Sequence, residues 1–177
     1  FDELGIDALF VDEAHNYKNL FFSTKMTRVP GIPQNITQRS FDMFAKCLHL
    51  NQITGGKGLV FATGTPISNS VTEMFTMQRY LQLGLLEEAG VSAFDFWANN
   101  FGEKVTAVET TPDGGRLRMF TRFARFINIP ELSQMFNRIA DIIRTKDLNL
   151  PLPKPKIHQV IAPRSEEIRQ IVKDLVK

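Results

Sequence analysis

Asp12 and Glu13 follow directly on a short apolar run, Ile6-Asp7-Ala8-Leu9-Phe10-Val11, and His15 stands two residues beyond Glu13. A run of this length, mostly β-favouring and ending in two carboxylates, suits a buried strand that delivers acidic groups at its C-terminal end. That end is where open α/β sheets hold their ligands. The chemistry that uses such a pair is nucleoside triphosphate hydrolysis, in which Asp12 would hold a magnesium ion through water and Glu13 would direct the attacking water. The same residues could equally open a loop or cap a helix, so a second stretch has to decide.

That stretch is Gly58-Leu59-Val60-Phe61-Ala62-Thr63-Gly64-Thr65-Pro66-Ile67-Ser68-Asn69, a second apolar strand ending in small and hydroxylated residues. Gly64 would permit an unusual backbone turn, while Thr63 and Thr65 offer hydroxyls to a carboxylate or to backbone groups. Two parallel strands ending side by side would bring those hydroxyls to Asp12 and Glu13. Asp12-Glu13-Ala14-His15, followed about fifty residues later by Ala62-Thr63-Gly64-Thr65-Pro66-Ile67-Ser68-Asn69, resembles the second and third motifs of superfamily-two helicases. The continuation Asn16-Tyr17-Lys18-Asn19 and the ending Ile67-Ser68-Asn69 resemble the Swi/Snf-like branch, the DNA-translocating ATPases. This resemblance implies ATP and Mg2+ as cofactors and double-stranded DNA as partner. It implies Asp12, Glu13 and His15 in hydrolysis, Thr63, Gly64 and Thr65 in coupling hydrolysis to movement, and Lys18, Asn19 and Asn69 beside the nucleic acid.

A triphosphatase of this kind also needs a glycine-rich phosphate loop with a lysine, upstream of its acidic strand. Nothing here matches Gly-x-x-x-x-Gly-Lys-Ser/Thr; Gly55-Gly56-Lys57-Gly58 comes nearest, but it leads into a strand instead of a helix and reads as a turn. With its start at Phe1, the chain is expected to be a segment of a larger polypeptide, with the phosphate loop and a second RecA-like lobe of that polypeptide as its partners.

The 177 residues are 43% hydrophobic and 23% charged, enough for one domain with a sizeable core. With 21 basic and 19 acidic residues the net charge is only +2, so a DNA surface must be local. The single cysteine, Cys47, excludes an internal disulfide and is expected to be a small buried hydrophobe of an intracellular protein, and the resemblance implies a cytoplasmic setting of bacterial or phage origin. No apolar run approaches the roughly 20 residues of a membrane span. His15, His49 and His158 lack metalloprotease spacing, and no Gly-x-Ser-x-Gly elbow is present.

Along the chain, Asn16 to Gln38 reads as a loop whose Lys18, Lys25 and Arg28 could meet phosphates or simply be solvated. Ser40 to Asn51 shows a helical face of Phe41, Phe44, Ala45 and Leu48. Ser70-Val71-Thr72-Glu73 is a capping box for a helix ending at Gly84, and Ser92 to Asp95 opens an aromatic helix closed by Gly102. A β-hairpin follows between Lys104 and Phe120 around Thr111-Pro112-Asp113-Gly114-Gly115. Arg116, Arg118, Arg122 and Arg125 interleave with Phe120, Phe123 and Phe126, either as a nucleic-acid surface or as an amphipathic segment with its arginines in water. A helix is expected over Glu131 to Ile143, a stiff connector at Pro151, Pro153 and Pro155, a strand at Ile157 to Ile161, and a capped helix from Ser165 to Val176.

The expected fold is α/β, a partial RecA-like parallel sheet flanked by helices with a mostly helical insertion. Residues 1–84 would form the later part of an ATPase lobe, 85–143 the insertion with its hairpin, and 144–177 an exit segment toward the second lobe. The exit segment resembles the end of the first Swi/Snf lobe. The hairpin region resembles large helicase-like polypeptides of phages and mobile elements, some of them fused to DNA methylases. The expected function is a fragment of an ATP-dependent DNA translocase; the alternative is a non-catalytic DNA- or protein-binding module with a degenerate helicase fold.

Overall fold

In a computed structural model the described residues are 2–26, 29–33, 35–68, 70–111, 115–144, 147–148, 150–151, 153, 155–163 and 165–175. Arg28, Asn69 and Pro112, Asp113 and Gly114, the last three expected from the sequence at the hairpin turn, lie outside them. The fold is α/β. Its centre is a pair of short parallel strands, β1 (Leu9–Val11) and β2 (Leu59–Phe61), with Leu9 opposite Leu59, Phe10 opposite Val60 and Val11 opposite Phe61. Leu9 N–H donates to the Gly58 carbonyl (2.7 Å) and Ala62 N–H to the Val11 carbonyl (2.8 Å). Strand alternation turns Leu9, Val11, Leu59 and Phe61 toward a core, while Phe10 (75% exposed) and Val60 (47%) face outward.

Helix α1 (Gln38–Thr54) packs on the inner face, burying Ser40, Met43, Cys47 and Leu50. The expected face was centred on Phe41, Ala45 and Leu48, more than a quarter turn away; Phe41 and Leu48 are exposed and only Phe44 lies at the seam. The physical reason is crowding. The rings of Tyr80 and Phe61 already occupy this core, so the small residues Ser40 and Cys47 can approach where a phenylalanine cannot. Two left-handed glycines, Gly55 (φ 64°) and Gly56 (φ 82°), close α1 through N–H bonds to the Asn51 carbonyl and confirm the turn before β2. Gly58 is held to glycine by contact, since a Cβ there would sit 2.6 Å from the Asp7 carbonyl oxygen.

Helix α2 (Thr72–Leu81) is buried almost all round, with Phe75 in one core and Tyr80 in the other. It stops at Gln82, whose φ of −146° breaks the helix, and α3 (Leu83–Glu88) takes over. Gly84 therefore lies within α3 instead of ending α2. The second core is aromatic: Phe22, Phe75, Phe94, Trp97, Phe101 and Phe123 meet there with centroid distances of 4.2 to 6.3 Å. The Trp97 indole N–H donates to Gln78 Oε1 at 2.7 Å, which satisfies a polar group that burial would otherwise penalise.

Helix α4 (Phe94–Phe101) gives half of these rings, Phe94, Trp97 and Phe101. Its expected Ser92–Asp95 capping box does not form. Asp95 instead accepts bonds from Thr24 Oγ1 and from the Lys25 backbone N–H (3.0 Å), which hold its carboxyl below the usual carboxylate range. Strands β3 (Gly102–Thr110) and β4 (Leu117–Phe126) make the hairpin, longer than expected; Thr106 faces Thr121, with 2.7 Å between hydroxyls, and Thr111 N–H bonds the Arg116 carbonyl. Gly102 thus starts a strand directly at the end of α4.

Helix α5 (Ile129–Asn137) begins with Pro130 in its first turn but ends six residues earlier than the expected Ile143. Leu132 and Met135 reach the aromatic core, whereas Ile139, Ile142 and Ile143 are exposed, so nothing rewards continuing the helix. Helix α6 (Glu166–Leu175) starts at Ser165, whose Oγ accepts the Ile168 N–H. Ile157, Val160 and Ile161 are 80% exposed or more and form no strand, having no ladder partner among the described residues. The chain divides into two compact units, residues 1–106 with 121–140, and 107–120 with 141–177. Among the described residues no helix is long and apolar enough to cross a membrane.

Candidate functional site

The parallel register of β1 and β2 ends both strands at one edge, and the next backbone bond, Ala14 N–H to the Ala62 carbonyl (3.0 Å), carries the pairing past them. Asp12 and Glu13 stand at this edge, both exposed. Glu13 has a left-handed backbone (φ 51°, ψ 46°), and its N–H donates to Asp12 Oδ1 at 2.8 Å. For a residue with a side chain this conformation costs on the order of 1 kcal/mol, and such strain gathers at functional sites. It reverses the chain immediately after the strand, so that Asp12 and Glu13 project from the edge and a 3-10 turn, Ala14–Tyr17, can start with Ala14 buried in the core.

His15 is carried on that turn. Its Nδ1 lies 3.0 Å from Thr63 Oγ1 and 3.1 Å from Glu13 Oε2. An ionised carboxylate can only accept, so a proton on Nδ1 serves Glu13 and Thr63 together, and the Thr63 oxygen also accepts the Thr65 N–H at 3.1 Å. The two stretches, forty-eight residues apart between His15 and Thr63, are thus in direct contact. Thr65 enters through its backbone. Gly64 has no left-handed φ and open space around it, so the unusual backbone of this edge is at Glu13 and not at Gly64.

Lys18 is half-buried, and its ammonium pairs with Glu73 Oε1 at 3.1 Å and donates to Ser68 Oγ. Glu73 Oε2 accepts the Ser68 N–H at 2.6 Å and lies 3.2 Å from its hydroxyl. The expected capping box therefore does not form: Glu73 reaches past Ser70 to Ser68, and Ser70 Oγ accepts the Thr72 N–H unaided. Ser68 and Glu73 were missed as site residues, because a glutamate three positions after a serine reads as a cap and only the fold brings Lys18 to it. Asn19 is exposed, and its carbonyl accepts from Thr37 Oγ1. Arg116, Arg118, Arg122 and Arg125 are exposed, with the Arg118 guanidinium 4.9 Å from the Phe120 ring centre, while Phe123 is buried.

Adjacent exposed carboxylates at a strand end are hard oxygen donors, which suit a cation that takes one or two protein ligands and keeps several waters. Among the described residues no cluster of three or more His, Cys, Asp or Glu side chains forms a closed metal cage.

The model of a family described as a probable helicase domain matches residues 1–145, and the chain belongs to that family. Across 173 residues, 94% of this chain, it is 27% identical to the "Defense against restriction protein B" of Escherichia phage P1, and it spans only 8% of that protein's length. No solved structure matches the chain.

Proposed function

We propose that this chain supplies the magnesium-carboxylate and coupling motifs of a Swi/Snf-like, ATP-driven DNA translocase whose phosphate loop and second lobe lie elsewhere in a longer polypeptide. The observation that carries this reading is the His15–Thr63 contact of 3.0 Å, which joins the acidic strand end to the threonine-bearing one. A magnesium ion, when bound, would supply positive charge that offsets the negative charge of a triphosphate. Asp12 is the residue to hold it; Glu13, fixed by His15, orients water. Thr63 then passes a change at Glu13 and His15 into the segment Thr63-Gly64-Thr65, which is what coupling to movement requires.

Residues 1–84 would form the lobe, 85–143 the insertion and 144–177 the exit toward the second lobe. Duplex DNA would be met by Asn19, Asn69 and the arginines Arg116, Arg118 and Arg122 in a cytoplasmic setting. Lys18 is left out of that surface, since its charge is already engaged by Glu73. The name of the phage relative, a defence against restriction, agrees with DNA as partner.

Glu13→Gln in the longer polypeptide keeps the shape of the side chain but removes the carboxylate. DNA-stimulated ATP hydrolysis is expected to disappear with nucleotide binding retained. Unimpaired turnover in that variant refutes the assignment. DNA binding by a wild-type polypeptide that never hydrolyses ATP would favour the non-catalytic module.

A further inference from the structure

The carboxylate of Glu73 has 8% of its side-chain surface exposed, and it belongs to neither of the two motifs. Each of its oxygens is committed: Oε1 to the Lys18 ammonium at 3.1 Å, Oε2 to the Ser68 N–H at 2.6 Å and hydroxyl at 3.2 Å. Lys18 in turn donates to Ser68 Oγ, which closes a triangle of three side chains. Desolvating a carboxylate and an ammonium offsets most of what their attraction returns, so such a pair is a poor device for stability alone. What it does fix is geometry.

Lys18 lies three residues past His15, and Ser68 three residues past Thr65. The segment after β1 and the segment after β2 are therefore tied twice, by His15–Thr63 at one point and by Lys18–Glu73–Ser68 at the other. The anchor of the second tie is α2, which is held rigidly by Phe75 in one core and Tyr80 in the other. We propose that Glu73 is a positioning residue: it sets the spacing of the Glu13–His15 segment against Thr63–Thr65, so that movement of one is transmitted to the other and not absorbed by loose chain. This inference rests on the function proposed above, but its first test does not.

In the 177-residue protein, the ring-nitrogen resonances of His15 report its contact with Thr63. Glu73→Gln and Lys18→Met should each shift them, and the double variant should shift them no further than the larger single change, because the two residues act through one tie. The exposed Glu87→Gln is the control and should leave them in place. Unmoved His15 resonances beside a lowered unfolding temperature would overturn the proposal and leave Glu73 a stability residue. If Glu73→Gln does not fold, Ser68→Ala removes the third corner without stranding a buried charge, and an unmoved His15 there overturns the proposal equally. In the longer polypeptide, Glu73→Gln should lower kcat for DNA-stimulated hydrolysis by about tenfold with KM for ATP within about twofold, a split expected when positioning fails and binding does not; equal effects on both also overturn it. A wild-type polypeptide without hydrolysis would remove the proposed function, while the His15 resonances would still decide the tie.

Discussion

Tyr80→Phe tests how the site is supported from beneath. The Tyr80 hydroxyl lies 3.0 Å from the carbonyl of Tyr17, at the end of the 3-10 turn that carries His15, and 3.1 Å from the carbonyl of Ser40 in α1. The substitution keeps the ring against Phe61 and Phe44, at centroid distances of 5.4 and 5.9 Å, so no cavity opens. Removing the hydroxyl deletes its hydrogen bond and takes that donor from the half-buried Tyr17 carbonyl, while the Ser40 carbonyl keeps its place in the α1 ladder, together about 1–3 kcal/mol. In a chain of this size a change of about 2 kcal/mol lowers the unfolding temperature by roughly 4–8 °C, to be followed by near-ultraviolet circular dichroism at neutral pH. A second arm uses pH. Burial pushes the Tyr80 phenol well above its ordinary value of 10.0. The unfolded phenol ionises first, so above that point the unfolded state holds fewer protons than the folded one. The stabilisation is complete below about pH 10 and declines above it by up to about 1.4 kcal/mol per pH unit. Cys47, raised by burial from 9.0 to about 12, adds a decline of the same sign that begins one unit lower. Tyr80→Phe should flatten the alkaline decline of urea-measured stability by one proton's worth, leaving the Cys47 component. An unfolding temperature within about 1 °C of wild type, together with an unaltered alkaline slope, would refute the reasoning.

Thr63→Ala with Thr65→Ala in the longer polypeptide should reduce movement per ATP hydrolysed more than ATP affinity, since Thr63 Oγ1 is the atom that meets His15; equal effects on the two would mean that the hydroxyls serve the fold alone. Replacing Arg116, Arg118 and Arg122 by alanine should reduce the slope of log affinity for DNA against log salt by up to about three units, one for each phosphate that an arginine no longer neutralises, without altering sequence preference. An unchanged slope would place these arginines in water only.

The meeting of the two strand ends was legible because it depends on residue types confined to short stretches: an apolar run, two carboxylates, then a second run and its threonines. The left-handed backbone of Glu13 was not, as nothing in a glutamate announces a positive φ; expectation put the unusual turn at Gly64, where the residue allows it but the fold does not use it. The partner of Lys18 was equally hidden, since a contact between residues fifty apart in the chain leaves no local pattern. Helix α1 was located correctly but turned the wrong way, because periodicity reports which residues are apolar and not which side is already filled by Tyr80 and Phe61. Ile157 to Ile161 shows the complementary error. An apolar run is only half of a strand, and the other half is a neighbour to pair with.

The strained backbone at Glu13 sets protein engineering against chemistry. Glycine adopts a φ of 51° without penalty and asparagine nearly so, whereas glutamate does not. A screen that rewards thermal stability alone would therefore drift toward Gly or Asn at this position, and each step of apparent improvement would remove the one carboxylate that His15 holds over the strand edge. Stabilised versions of this chain are better sought at the exposed Phe10, Phe41 and Leu48, where nothing in the site depends on the side chain.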